Sequence, residues 1–116
     1  MTKREAVEKH RILWNTIAKM IDDGVEYDVT TLYKMDAIII MGDIGIKSDC
    51  YCCEYAKCKN PPWDVNCKKC PIVWKYEHCL DGEYGDFRQA VFHRDYPLAA
   101  EIAREIANLP EREDDE

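Results

Sequence analysis

Six cysteines fall within "CYCCEYAKCKNPPWDVNCKKC", residues 50 to 70, and a seventh follows at Cys79. Thiolates can pair as disulfides, ligate a metal or act as nucleophiles, and their spacing separates these roles. Cys50-Tyr51-Cys52-Cys53 and Cys67-Lys68-Lys69-Cys70 are both C-x-x-C, separated by a loop of zinc-ribbon length. Each such turn brings two sulfurs to one ion, while its backbone N–H groups point at the sulfurs and offset their charge. Two turns supply four thiolates, which close a tetrahedral sphere and leave no position for water or substrate. The spacing therefore predicts a structural Zn2+ held by Cys50, Cys53, Cys67 and Cys70. An iron–sulfur cluster ranks second, because Pro71 follows Cys70 as a proline follows the last cysteine of a bacterial ferredoxin run. The rest of that run is missing. Disulfides rank lower still, since seven cysteines leave an odd thiol and a reducing compartment keeps thiols free.

Cys52, Cys58 and Cys79 are then left over, and each reads most simply as a small buried apolar residue. Cys79 is the strongest reserve ligand, since it trails Pro71-Ile72-Val73-Trp74 and the chain can fold back toward the ion. Its neighbour His78 is a further alternative through a ring nitrogen.

The rest of the chain must position this segment. At 116 residues it fits one domain with a modest core, for which a metal staple is a natural supplement. The reading takes residues 1–110 as a single zinc-stapled domain and "EREDDE", 111–116, as a disordered acidic tail without an apolar anchor. The longest apolar run, "AIIIM" at 37 to 41, is far short of the roughly 18 residues that cross a bilayer. The opening "MTKREAVEKHRILW" breaks into charges at once and lacks a signal-peptide core, so a cytoplasmic location is expected, with no membrane partner.

The fold class expected is mainly α, a small α-rich domain with an irregular zinc-knuckle segment. Thr2 and Glu5 have capping-box spacing, and Ala6, Val7, His10, Leu13, Trp14, Ile17 and Ile21 recur at helical period before a stop at Gly24. Trp14 lies on that stripe and reads as core. "DVTTLYKMDAIIIMG" fits either a helix capped at Thr30 and ended by Gly42, or a loop entering a β-branched strand at Ile38 to Ile40; helix is preferred. Pro61, Pro62 and Pro71 exclude regular helix from the cysteine segment. Asp86 can cap a short helix through Phe87, Ala90 and Val91. A last helix starts near Asp95 with Pro97 in its first turn, and places Leu98, Ile102, Ile106 and Leu109 on one stripe.

Charge narrows the partners. The formal balance is -7, and only residues 50 to 80 are net positive, with Lys57, Lys59, Lys68, Lys69 and Lys75 against Glu54, Asp64 and Glu77. Four thiolates and one divalent ion add about -2, which cancels that excess and brings the chain to about -9. Phosphate backbones are repelled, so direct nucleic-acid binding is not expected. No Gly-rich phosphate loop, G-x-S-x-G, H-E-x-x-H or deaminase signature occurs, and no histidine has an identifiable partner to tune it. The expectation is a binding protein and not an enzyme.

The blocks "AVEKHRILWNTIA", "DCYCCEYAKC", "CKKCPIVW", "CL", "YGDF" and "AAEIAREIANLPER" cover most of the chain. They resemble small cysteine-rich proteins encoded by phages and prophages of Gram-positive bacteria. The most specific part is the knuckle pair, with Cys53-Glu54-Tyr55 after the first and Cys70-Pro71-Ile72-Val73-Trp74 after the second. That group is similar to a zinc-containing anti-CRISPR protein. The resemblance implies a monomeric inhibitor, acting in the host cytoplasm, that binds the type II-A CRISPR effector nuclease and hinders target DNA loading. Doubled Cys52 and Cys53, with Cys58 close behind, depart from the simpler knuckle of the group and leave the ligand set open. The alternative reading is a zinc-stabilised adaptor or transcription-control module acting on another host protein.

Overall fold

Nine side chains on one helix set the architecture. In a computed structural model, which describes residues 3–42, 72 and 82–111, helix α1 (Lys3–Asp22) buries Ala6, Val7, His10, Leu13, Trp14, Ile17, Ala18, Met20 and Ile21. All seven residues read as its apolar stripe are among them. Each large apolar side chain so buried stabilises the fold by about 1.5–3 kcal/mol relative to exposure. Glu5 in the first turn and Lys19 in the last oppose the helix dipole. Thr2, the expected cap partner of Glu5, lies outside the described residues.

The stop at Gly24 works as expected. Gly24 has φ 95°, its N–H donates to Ile21 O at 3.0 Å, and Val25 N–H donates to Met20 O at 3.0 Å. This is the paired bonding of a Schellman motif, and it requires a left-handed residue at that position.

Three further helices follow: α2 (Thr30–Met41), α3 (Glu83–Phe92) and α4 (Tyr96–Ala107). The described residues are thus mainly helical. α2 is helix and not strand, and Gly42 ends it with φ 82°. Its N-cap is Val29 and not Thr30, because Val29 holds the extended backbone while Thr30 already has entered the first turn and is buried. α3 starts four residues earlier than a cap at Asp86 allows. Gly82 is its N-cap, and Asp86 falls within the first turn, where its charge favours the helix start.

α4 is capped as expected, with Asp95 accepting from Leu98 N–H at 3.4 Å and Pro97 in the first turn. Its buried face differs from the expected stripe. Ala99, Ala100, Ile102, Ala103, Ile106 and Ala107 are buried, Leu98 is exposed, and Leu109 is half-buried beyond the helix end. The alanines let α4 approach α1 closely, and the larger Leu98 is turned out by the same rotation.

α1 and α4 share the most extensive interface, α3 packs on α4, and α2 packs on α1 and more lightly on α3. His10, fully buried on α1, donates from Nε2 to Ile106 O of α4 at 3.1 Å. Arg104 of α4 pairs with Asp22 at the end of α1. At the centre the Trp14 indole stands edge-on to Phe87, with ring centroids 5.0 Å apart, and to Tyr84 at 5.9 Å. Tyr33 of α2 joins the cluster against Phe87 at 6.2 Å. Ile72 is fully buried and forms an isolated antiparallel bridge with Glu111, whose carboxylate lies 4.0 Å from Lys3 Nζ.

The α3–α4 corner repeats the Schellman pattern with an unusual residue. Arg94 has φ 56°, Arg94 N–H donates to Val91 O at 3.0 Å, and Asp95 N–H donates to Ala90 O at 2.8 Å. A left-handed backbone costs a residue with a Cβ about 1–2 kcal/mol, partly offset by the greater unfolded-state entropy of glycine. Arg94→Gly is therefore expected to stabilise the protein by about 0.5–1 kcal/mol, raising Tm by about 2–8 °C in a thermal melt. A lower Tm would mean that the arginine side chain holds the corner.

Candidate functional site

Cys50, Cys53, Cys67 and Cys70, with the reserve ligands Cys52, Cys58, His78 and Cys79, all lie outside the described residues. Ile72, two positions after Cys70, is the one described residue between Gly42 and Gly82. Among the described residues no cluster of His, Cys, Asp and Glu has a metal-binding arrangement. The surface that the described residues offer is built by α2, α3 and the loop that leads into α2.

That loop is held by tyrosines. Tyr33 Oη donates to Val25 O at 2.7 Å and accepts from Tyr27 N–H at 3.0 Å. Tyr96 Oη, from α4, donates to Tyr27 O at 3.2 Å, and the Tyr27 hydroxyl donates to the Asp36 carboxylate. The rings of Tyr27 and Tyr33 meet edge-on at 5.0 Å. Four phenol contacts thus fix residues 25–27 and the direction in which α2 departs.

The same contacts move two phenols. Tyr27 is raised above its ordinary value by its hydrogen bond to Asp36, then by burial, then by the Asp36 charge. Tyr33 is raised by burial, against a smaller lowering by its bond to the Tyr27 amide. A raised phenol favours the folded state while neutral, so this contribution is complete below the unfolded value near 10 and is lost as pH rises through the folded values. Denaturation midpoints measured from pH 7 to 11.5 are expected to stay level to about pH 10 and fall beyond it. The fall should be shallower in Tyr33→Phe, and a slope unchanged by that substitution would exclude the phenol as its source.

Beside the loop, a cavity of about 610 Å³ opens between the start of α2 and α3. Asp28 and Asp86 place carboxylates on its wall, Arg88 adds one cation, and Tyr84 and Phe92 supply rings. Tyr84 is held from behind: Lys34, 4 % exposed, donates from Nζ to Tyr84 Oη at 2.5 Å and lies 4.5 Å from the ring centroid. An ammonium removed from water needs such partners, and this pairing ties α2 to α3. The sequence reading passed over Lys34, although Thr30, Tyr33, Lys34, Ala37, Ile38 and Met41 share one helical face, a pattern that would have placed the lysine inward.

The outer face of α2 is apolar as well. Leu32, Met35, Ile39 and Ile40 are exposed, the last two at 58 % and 66 %, and Phe92 on α3 is 72 % exposed. Among the described residues no helix is long and apolar enough to cross a membrane.

In comparison with known proteins, no family model, no curated protein and no solved structure matches the chain. A functional reading therefore rests on the residues themselves.

Proposed function

We propose that the protein is a phage-encoded anti-CRISPR inhibitor that binds the type II-A RNA-guided effector nuclease one-to-one, as a monomer in the host cytoplasm, and hinders loading of target DNA. The observation that carries this reading is the knuckle pair, Cys50 to Cys53 and Cys67 to Cys70, with Glu54-Tyr55 and Pro71-x-x-Trp74 in their resembling positions. Zn2+ bound by these cysteines has a structural role, and the protein acts by occupying a surface without turning over a substrate. The balance of -7 supports it, since an effector of this type holds guide and target in positively charged channels. An acidic ligand is steered to such a channel, at a rate that falls as salt shortens the Debye length from about 10 Å at 0.1 M.

Order-of-addition cleavage assays test it. Protection is expected to be strong when the protein meets the guide-loaded effector before DNA and weak when DNA is already in place. The protein alone should leave the mobility of free DNA unchanged. Equal protection in both orders would move the block to the chemical step. Absence of inhibition across several type II-A effectors would overturn the proposal and put the adaptor reading in its place.

A further inference from the structure

We infer that the outer face of α2, with the cavity at its N-terminal end, is a docking surface for a basic, apolar-faced helix of a partner protein. α2 is apolar on both sides. Tyr33, Ala37 and Ile38 are buried inward, while Leu32, Met35 and Ile39 stand outward at i, i+3 and i+7 with Ile40 beside them. An amphipathic helix keeps its outer face polar, and one that is apolar all round is at home only when both faces are covered. The spacing of these exposed residues also matches that by which one helix receives the anchors of another.

Charge decides what covers the face. The charged groups on it are carboxylates: Asp36, half-buried and accepting from the Tyr27 hydroxyl, lies within the stripe, and Asp28 stands exposed just before the helix begins. Lys34, the one cation of α2, is on the opposite face and turned to Tyr84. Asp28 also lines the cavity, together with Asp86, Arg88 and Phe92, so its two carboxylates outnumber its one cation. The face therefore presents apolar side chains in a net negative field, and the carboxylates of the recess suit a lysine or arginine side chain. Nucleic acid and anionic lipid headgroups are repelled by it, and a second copy would bring another -7 chain with the same carboxylates. A cationic amphipathic helix satisfies both the apolar stripe and the charge. This inference does not depend on which protein supplies that helix, so it stands apart from the identity of the nuclease.

The test uses the full chain with methyl-labelled Leu, Met and Ile, and as probe a helical lysine–leucine peptide of about five turns. Expected are shifts at Leu32, Met35, Ile39 and Ile40 that saturate at one peptide per chain. Ile39→Glu should weaken binding at least about ten-fold, as should scrambling the peptide to destroy its apolar face. Leu32→Gln serves as a second, milder variant, and thermal melts confirm that both variants fold. Asp28→Asn with Asp86→Asn should weaken binding and flatten its salt dependence. Equal binding of the scrambled peptide, or no saturable binding, would overturn the proposal. Concentration-dependent self-association abolished by Ile39→Glu would overturn it by assigning the face to a second copy. Nuclear Overhauser contacts from these methyls to residues 43–71 would overturn it by assigning the face to the chain itself.

Discussion

Protein purified without added metal is expected to carry one Zn2+ per chain, and its removal by a chelator should abolish the cooperative unfolding transition. Binding free energy at a four-thiolate site is folding free energy, and a domain of this size has only about 5–15 kcal/mol in hand. Loss of the ion would also leave thiolates repelling one another in a short stretch of chain. Cys67→Ser and Cys70→Ser should therefore aggregate or melt below working temperature. Cys52→Ser should stay within about 1–2 kcal/mol of the parent, as a change at a packed thiol does. Elemental analysis with thermal melts of the parent, these three variants and Cys53→Ser checks this. A metal-free parent, or one containing iron and sulfide, would remove the zinc assignment. If Cys52→Ser strips the metal while Cys53→Ser keeps it, the ligand in the first knuckle is Cys52.

Trp14→Ala is expected to have the largest effect of any single substitution in the described core. The indole is 1 % exposed and meets Phe87 and Tyr84 of α3 from α1, with Tyr33 of α2 reaching the same cluster through Phe87. Its removal leaves a cavity at the point where three helices converge, at a cost of about 3–5 kcal/mol. That is a large share of the whole stability, and Tm should fall by more than about 10 °C. Trp14→Phe should cost far less. It retains an aromatic ring and removes Nε1–H, a buried polar atom without a hydrogen-bond partner among the described residues. Denaturant midpoints of the two variants separate ring from N–H. A loss below about 1 kcal/mol in Trp14→Ala would show that the cluster is not the centre of the core.

How much of this was legible in the sequence depended on whether a residue's role is local. α1 was readable over its whole length because large apolar side chains recur at one period through 20 residues and end at a glycine. α2 was ambiguous for the opposite reason. Ile38, Ile39 and Ile40 are consecutive, so no period separates inside from outside, and only packing against α1 selects Ile38 as the buried one. On α4 the large Leu98 looked like an anchor, while the alanines that make the true contact surface carried too little apolar weight to be noticed. Gly82 was missed as a cap because it has no side-chain oxygen to announce one.

The candidate surface was less legible than the fold. Its recess arises where α2 and α3 meet across 50 positions of sequence, as the Lys34–Tyr84 bond shows, and no local pattern encodes that meeting. The sequence blocks with the most distinctive patterning cover most of α1, the "YGDF" start of α3 and most of α4, but not α2. They coincide with core residues such as Leu13, Trp14, Phe87 and Ile106 and with the cysteine knuckles.

The union of α1 with α4 has a consequence for biosynthesis. The His10–Ile106 bond joins residues 96 positions apart. At about 5–20 residues per second, a ribosome takes roughly 5–20 s to cover that distance. Throughout this interval Leu13, Trp14 and Ile17 have no α4 to cover them, whereas α3 and α4 share Asp95 and can pair as soon as both exist. The nascent chain is thus a natural client for chaperones that hold exposed apolar helices. The α1–α4 interface, the most extensive of the described residues, closes only after synthesis has passed Ile106, when α3 and α4 are already available to pair.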